Sequence, residues 1–188
     1  MPYDHECNLQ RCMFAFPLLQ NNGSQSCLFN NLPVIDFSAD NSRFLQSSPA
    51  VQNGITLAVI CNSGTQNTTN EILSLSTNSN SICAYGTLAT GIFVRSTTVG
   101  VTANGTTGNV NPKILIFTQT NLIYNGASEY SGSTQLAQVL PYFTNIGGRQ
   151  TSSAHRGLIA EIIAYDSSFT LTKAQELSAN INSEYAIY

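Results

Sequence analysis

Charge is what this chain has least of: Asp, Glu, Lys and Arg make up 9% of its residues, against about a quarter in an ordinary globular domain. Tryptophan is absent altogether. Seven scattered Lys and Arg against ten Asp and Glu leave a formal net charge of -3. That is too little positive field to hold a phosphate backbone or an anionic lipid surface, so nucleic acid is not an expected partner. No apolar run approaches the roughly 20 residues of a bilayer-spanning helix, and residues 1–20 lack the basic start and continuous apolar stretch of a secretory signal. Membrane insertion is therefore not expected. A surface so poor in charge and so rich in Asn, Ser and Thr meets water, glycans and other proteins through neutral hydrogen bonds.

Cysteine comes in an odd number. Of Cys7, Cys12, Cys27, Cys61 and Cys83, at least one is unpaired or pairs between chains. His5, Cys7, Cys12 and Cys27 lie close in sequence, but no C-x-x-C pair is present, so disulfides in the N-terminal segment or buried reduced thiols fit better than zinc. Sequons begin at Asn22, Asn67 and Asn104; in this composition several arise by chance, and they argue little for secretion.

The 188 residues suffice for one domain with a sizeable core. The expected division is an N-terminal extension or anchoring segment over 1–30 and a single domain over 31–188. From Leu32 onward, short β-branched runs alternate with clusters of Asn, Ser, Gly and Thr, the pattern of an all-β sandwich rather than of βαβ units. The clearest runs are 34–37, 55–61, 71–75, 92–95, 113–118 and 158–165. Asn125-Gly126 after 121–124 predicts a two-residue hairpin turn of type I′, with the Asn there as a backbone device. One helix is expected, near 172–185. Thr172 caps it, Gln175 completes a capping box, and Ala174, Leu177, Ile181 and Tyr185 form its apolar stripe, with Ser178 off the stripe and exposed.

These segments carry a resemblance. Ile146-Gly147-Gly148-Arg149, then Gly157-Leu158-Ile159-Ala160-Glu161-Ile162-Ile163-Ala164-Tyr165-Asp166, then Leu171-Thr172-Lys173-Ala174-Gln175-Glu176 and the segment 181–185 resemble, in order and spacing, the closing signature of laminin-G-like, concanavalin A-like jelly rolls. Upstream, the segments 31–37 and 43–45 look like that family's opening, 55–60 its next strand, and 113–118 with Asn125-Gly126 its later hairpin. Ser38 stands where the opening usually has Gly, and the hairpin strand lacks the common Trp-His, so no subfamily follows. The resemblance implies an all-β, two-sheet antiparallel jelly-roll sandwich with a short C-terminal helix. It also implies that Glu161 is a structural acceptor rather than a catalytic acid.

Enzyme chemistry is not expected. The glucanases of this fold need paired carboxylates on one strand face, whereas Glu161 and Asp166 are an odd number of positions apart. His155 has no G-x-S-x-G elbow to serve and, beside Arg156 in a polar loop, reads as a surface residue. No phosphate-binding glycine motif is present. Among cofactors only calcium is worth naming: Asp36 and Asp40 are its nearest approach to a ligand set, and calcium wants more oxygens than they supply. What remains is recognition. Aromatic rings stack on sugar faces while amides and guanidinium groups bond hydroxyls, which makes Tyr124, Asn125, Tyr130, Tyr142, Arg149 and Gln150 the candidate glycan contacts. Two roles compete. The first is a non-catalytic structural protein on a virion or cell-coat surface, packing against neighbouring structural proteins or its own copies, with the apolar segment 13–19 as anchor. The second is a carbohydrate-binding, lectin-like module of a secreted protein.

Overall fold

Strands buried on both faces must be covered on both sides, and two such runs, 113–117 and 157–165, apolar but for Lys113 and Glu161, organise this fold. The computed structural model describes residues 28–29, 32–37, 45–52, 56–63, 70–74, 83–88, 91–96, 100–102, 112–131, 142–147, 155 and 157–188. Outside them lie Cys7, Cys12, Cys27, the three sequons, the proposed anchor 13–19, Arg149, Gln150 and Arg156. The elements are β1 (Leu28–Phe29), β2 (Leu32–Pro33), β3 (Ile35–Asp36), β4 (Leu45–Gln52), β5 (Thr56–Ser63), β6 (Asn70–Ser74), β7 (Cys83–Leu88), β8 (Gly91–Ser96), β9 (Gly100–Thr102), β10 (Lys113–Phe117), β11 (Asn121–Tyr124), β12 (Ala127–Ser131), β13 (Tyr142–Ile146), β14 (Gly157–Tyr165) and α1 (Leu171–Tyr185).

Two six-stranded sheets form, in the orders β12-β11-β10-β5-β14-β3 and β4-β13-β6-β7-β8-β9, with β1 and β2 as a separate ribbon. Every pairing described is antiparallel. The expected all-β sandwich with one C-terminal helix is what the chain builds.

Register sorts the first sheet into two faces. Lys113, Leu115 and Phe117 of β10 oppose Cys61, Val59 and Leu57 of β5; all six are buried on the sandwich side. On the other side Ile114, Ile116, Ala58, Ile60, Ile123 and Ile163 meet Phe169, Ala174, Ile181 and Tyr185 of the helical segment. A one-residue bulge at Ala160 shifts the phase of β14, so that Leu158 before it and Glu161 and Ile163 after it share the helix side. At about 1.5–3 kcal/mol per large side chain buried, this double layer dominates the stability.

The helix begins earlier than its sequence signals suggest. Its cap is Thr170, whose side chain accepts from the Lys173 N–H at 3.3 Å, and not Thr172, which lies inside the first turn. The preceding loop decides this. Thr56 donates its hydroxyl to Ser167 O at 2.8 Å and accepts from Phe169 N at 3.0 Å, so the chain reaches the sheet pinned at a buried Phe169 and can turn helical only after it. Gln175, expected in a capping box, instead donates to Gly126 O at 3.0 Å. The buried face is Ala174, Ser178, Ile181 and Tyr185. Leu177 lies on its shoulder, partly buried, and Ser178 is fully buried with its hydroxyl 3.0 Å from the Tyr188 hydroxyl. The expectation of an exposed Ser178 is thus corrected: four-residue spacing from Ala174 puts it on the contact line.

Gly147, ending β13, has φ +90, and a Cβ there would lie 2.3 Å from the Phe37 ring. Its N–H donates to Ile72 O of β6, and its carbonyl accepts from His155 N, each at 2.8 Å. Phe37, directly after β3 of the other sheet, donates its N–H to Gly157 O at 2.8 Å. The two sheets therefore touch at this end through an aromatic ring laid on a glycine. Among the described residues no helix is long and apolar enough to cross a membrane.

Candidate functional site

The hairpin β11–β12 carries half of the candidate glycan contacts. Its turn has Asn125 at φ 46 and Gly126 at φ 79, the positive pair of a type I′ turn, as the sequence predicts. Asn125 does more than turn the chain. Its side-chain oxygen accepts from Ile114 N at 2.8 Å and its own N–H donates to Ile114 O at 3.0 Å, so the turn is clamped to β10. Gly126 is held from the other side by Gln175, and a Cβ on it would stand 2.9 Å from the Tyr188 hydroxyl. Tyr188 is itself tied down by Asn182, whose side chain accepts from Ile187 N and Tyr188 N and donates to Tyr188 O. The result is a rigid edge on which a partly exposed Tyr188 ring, at 52%, flanks the turn.

Tyr124 is half-buried and pairs with Leu115, which places it on the sandwich side of the sheet near its edge. Tyr130 pairs with Leu122 on the same hairpin. Tyr142 opens β13 in the other sheet, opposite Gln52. The structure therefore brings Tyr124, Asn125 and Tyr130 together, places Tyr142 in the opposite sheet, and leaves Arg149 and Gln150 outside the described residues. Of the proposed calcium pair, Asp36 is exposed at the edge strand β3, and Asp40 lies outside the described residues.

Glu161 accepts a hydrogen bond from the Tyr185 hydroxyl at 3.2 Å, a strut between β14 and α1 that matches its expected structural part. His155 overturns its reading as a surface residue: it is fully buried. Phe37 packs edge-on against it with ring centroids 6.2 Å apart, its Nε2 lies 3.5 Å from Leu158 O, and its Nδ1 has no hydrogen-bond partner among the described residues. Desolvation, against weak help from backbone carbonyls, holds its pKa down to about 4.

Lys113 was not singled out from sequence, yet it is among the largest fully buried side chains of the described residues. Burial lowers its pKa, with the Cys61 thiol opposing, while burial pushes that thiol up to about 11, with Lys113 opposing. Strand alternation was the available signal, since position 113 shares a face with Leu115 and Phe117. Among the described residues no three His, Cys, Asp or Glu side chains gather as a metal site.

No family model matches this sequence, and no curated protein does either. Solved structures match the fold. The carbohydrate-binding module CBM40 of the Ruminococcus gnavus IT-sialidase, bound to α2,3-sialyllactose, aligns with a TM-score of 0.60 at 12% identity, over 77% of this chain and 96% of that one. Domain 4 of AbnA, a GH43 extracellular arabinanase from Geobacillus stearothermophilus, in complex with arabinotriose, aligns at 0.52 and 14%, over 85% and 84%. The leech intramolecular trans-sialidase aligns at 0.56 and 14%, over 77% of this chain and 27% of that one. At these identities the likeness shows the fold: a β-sandwich shared with carbohydrate-binding modules that are parts of enzymes.

Proposed function

We propose that this protein is a non-catalytic carbohydrate-binding module acting outside the cell. The observation that carries the reading is the alignment of its sandwich along almost the whole of a module solved with sialyllactose, and along most of a domain solved with arabinotriose. A neutral, amide- and hydroxyl-rich surface supports it, because such a surface exchanges hydrogen bonds with sugar hydroxyls without needing charge. The comparisons favour this reading over the virion or cell-coat role, for which they offer no support. Tyr124 and Tyr130, with Tyr142, Arg149 and Gln150, are the proposed contacts; Asn125 is assigned to the turn, because its amide oxygen is already engaged by Ile114.

The test is calorimetric and thermal titration of the full chain with 3′-sialyllactose, 6′-sialyllactose and arabinotriose, with and without calcium. Ligand at a hundred times Kd should stabilise the fold by about 2.7 kcal/mol. Absence of binding or stabilisation by any of the three at millimolar concentration overturns the proposal.

A further inference from the structure

His155 joins segments of both sheets, and nothing in the glycan reading uses it. Its N–H is bonded to Gly147 O, its ring packs edge-on against Phe37, and its Nε2 faces Leu158 O of β14. Phe37 in turn bonds Gly157 O and covers Gly147, which bonds Ile72 O of β6. These backbone bonds and ring contacts together tie the ends of β3, β6, β13 and β14 at one end of the sandwich, around the buried His155 ring. The same ring carries a nitrogen, Nδ1, that is out of water and without a hydrogen-bond partner among the described residues.

We propose that His155 is an acid-sensitive latch: a proton on its ring cannot be accommodated while the Phe37–Gly147–His155 junction is closed, so acidification releases that junction ahead of the rest of the fold. A charged imidazolium needs an acceptor at each ring nitrogen, whereas here Nε2 has Leu158 O at a long 3.5 Å and Nδ1 has no hydrogen-bond partner among the described residues. The charged or titratable groups around it among the described residues do not help. Lys113 of β10 repels the proton, and Cys61 of β5, on the face of Lys113, is a neutral thiol at ordinary pH. Asp36 of β3 pairs with Leu158, which packs toward the helix, so it points to the opposite face. Ile72, Asn145 and Gly147, from β6, β13 and its end, do not titrate.

The direction follows from linkage. A folded pKa near 4 against the ordinary 6.5 means that the closed form is fully favoured above 6.5 and loses ground as pH falls toward 4. Between pH 7 and pH 5 that difference shifts the closed-to-open ratio about 20-fold.

Amide hydrogen exchange on the full chain, corrected for the intrinsic pH dependence of exchange, tests this. Protection of the Phe37, Gly147 and His155 amides should fall about 20-fold from pH 7 to pH 5, while the ladder amides of β5 and β10 keep theirs. The same amides in His155→Phe and His155→Gln should show no such fall. An equal fall in either variant overturns the latch, as does pH-independent protection in the parent. A separate reading needs no variant: the His155 ring signals should titrate near 4 by NMR, and titration at the ordinary histidine value overturns the proposal directly.

Discussion

Replacing Gly147 by alanine tests the way the two sheets meet. The residue is at φ +90, where a side chain brings backbone strain of about 1–3 kcal/mol. The added methyl would also lie 2.3 Å and 2.5 Å from two carbons of the Phe37 ring. That ring has little room to retreat, because Phe37 is tied by its N–H to Gly157 O and braced by His155. Forcing a methyl into such a packed place costs about 1–3 kcal/mol more. Gly147→Ala should therefore destabilise by about 2–6 kcal/mol, a large part of the roughly 5–15 kcal/mol that a domain possesses. The two contributions separate in a double-mutant cycle with Phe37→Ala, measured by guanidinium denaturation at constant m-value. With the ring gone, the alanine should cost its backbone strain alone. If Gly147→Ala matches the parent within about 0.5 kcal/mol, or if its penalty is undiminished beside Phe37→Ala, the ring-on-glycine junction does not exist as described.

Two further outcomes are expected. Ile181→Ala should cost about 2–5 kcal/mol by chemical denaturation, and Leu177→Ala about half as much because its side chain is only partly buried; the reverse order would mean that the helix docks on a different face. Asn125→Gly keeps the positive φ but loses the acceptor for Ile114 N, at about 1 kcal/mol, while Asn125→Ala adds about 1–2 kcal/mol of left-handed backbone strain; equal thermal shifts for the two would show that φ is not what the position selects.

Much of this fold was legible locally. Alternation and β-branching marked β5, β6, β8, β10 and β14 within a residue or two, because a strand's burial on one or both faces is written in its own residues. Asn125-Gly126 announced its turn because the positive φ pair is a property of two adjacent residues. The strands β4, β7 and β13 were not marked by a period of their own, and β12 only as the far arm of the Asn125-Gly126 hairpin.

The candidate site was legible only in part. Tyr124, Asn125 and Tyr130 share a hairpin and so stay together in any fold that keeps it, whereas Tyr142 is carried into the other sheet by a crossover that no short pattern records.

By itself, then, the sequence determined the more apolar strands, the turn and the presence of a C-terminal helix, because each depends on interactions within a few residues. Only the tertiary structure decided that His155 is buried, that Lys113 shares its face with Cys61 in the core, that Ser178 rather than Leu177 lies on the helix contact line, and that Thr170 takes the cap from Thr172. The physical reason is common to all four. Each depends on what a distant segment lays over the residue: Phe37 over His155, the second sheet over Lys113, Tyr188 against Ser178, and Thr56 anchoring the loop that ends at Phe169.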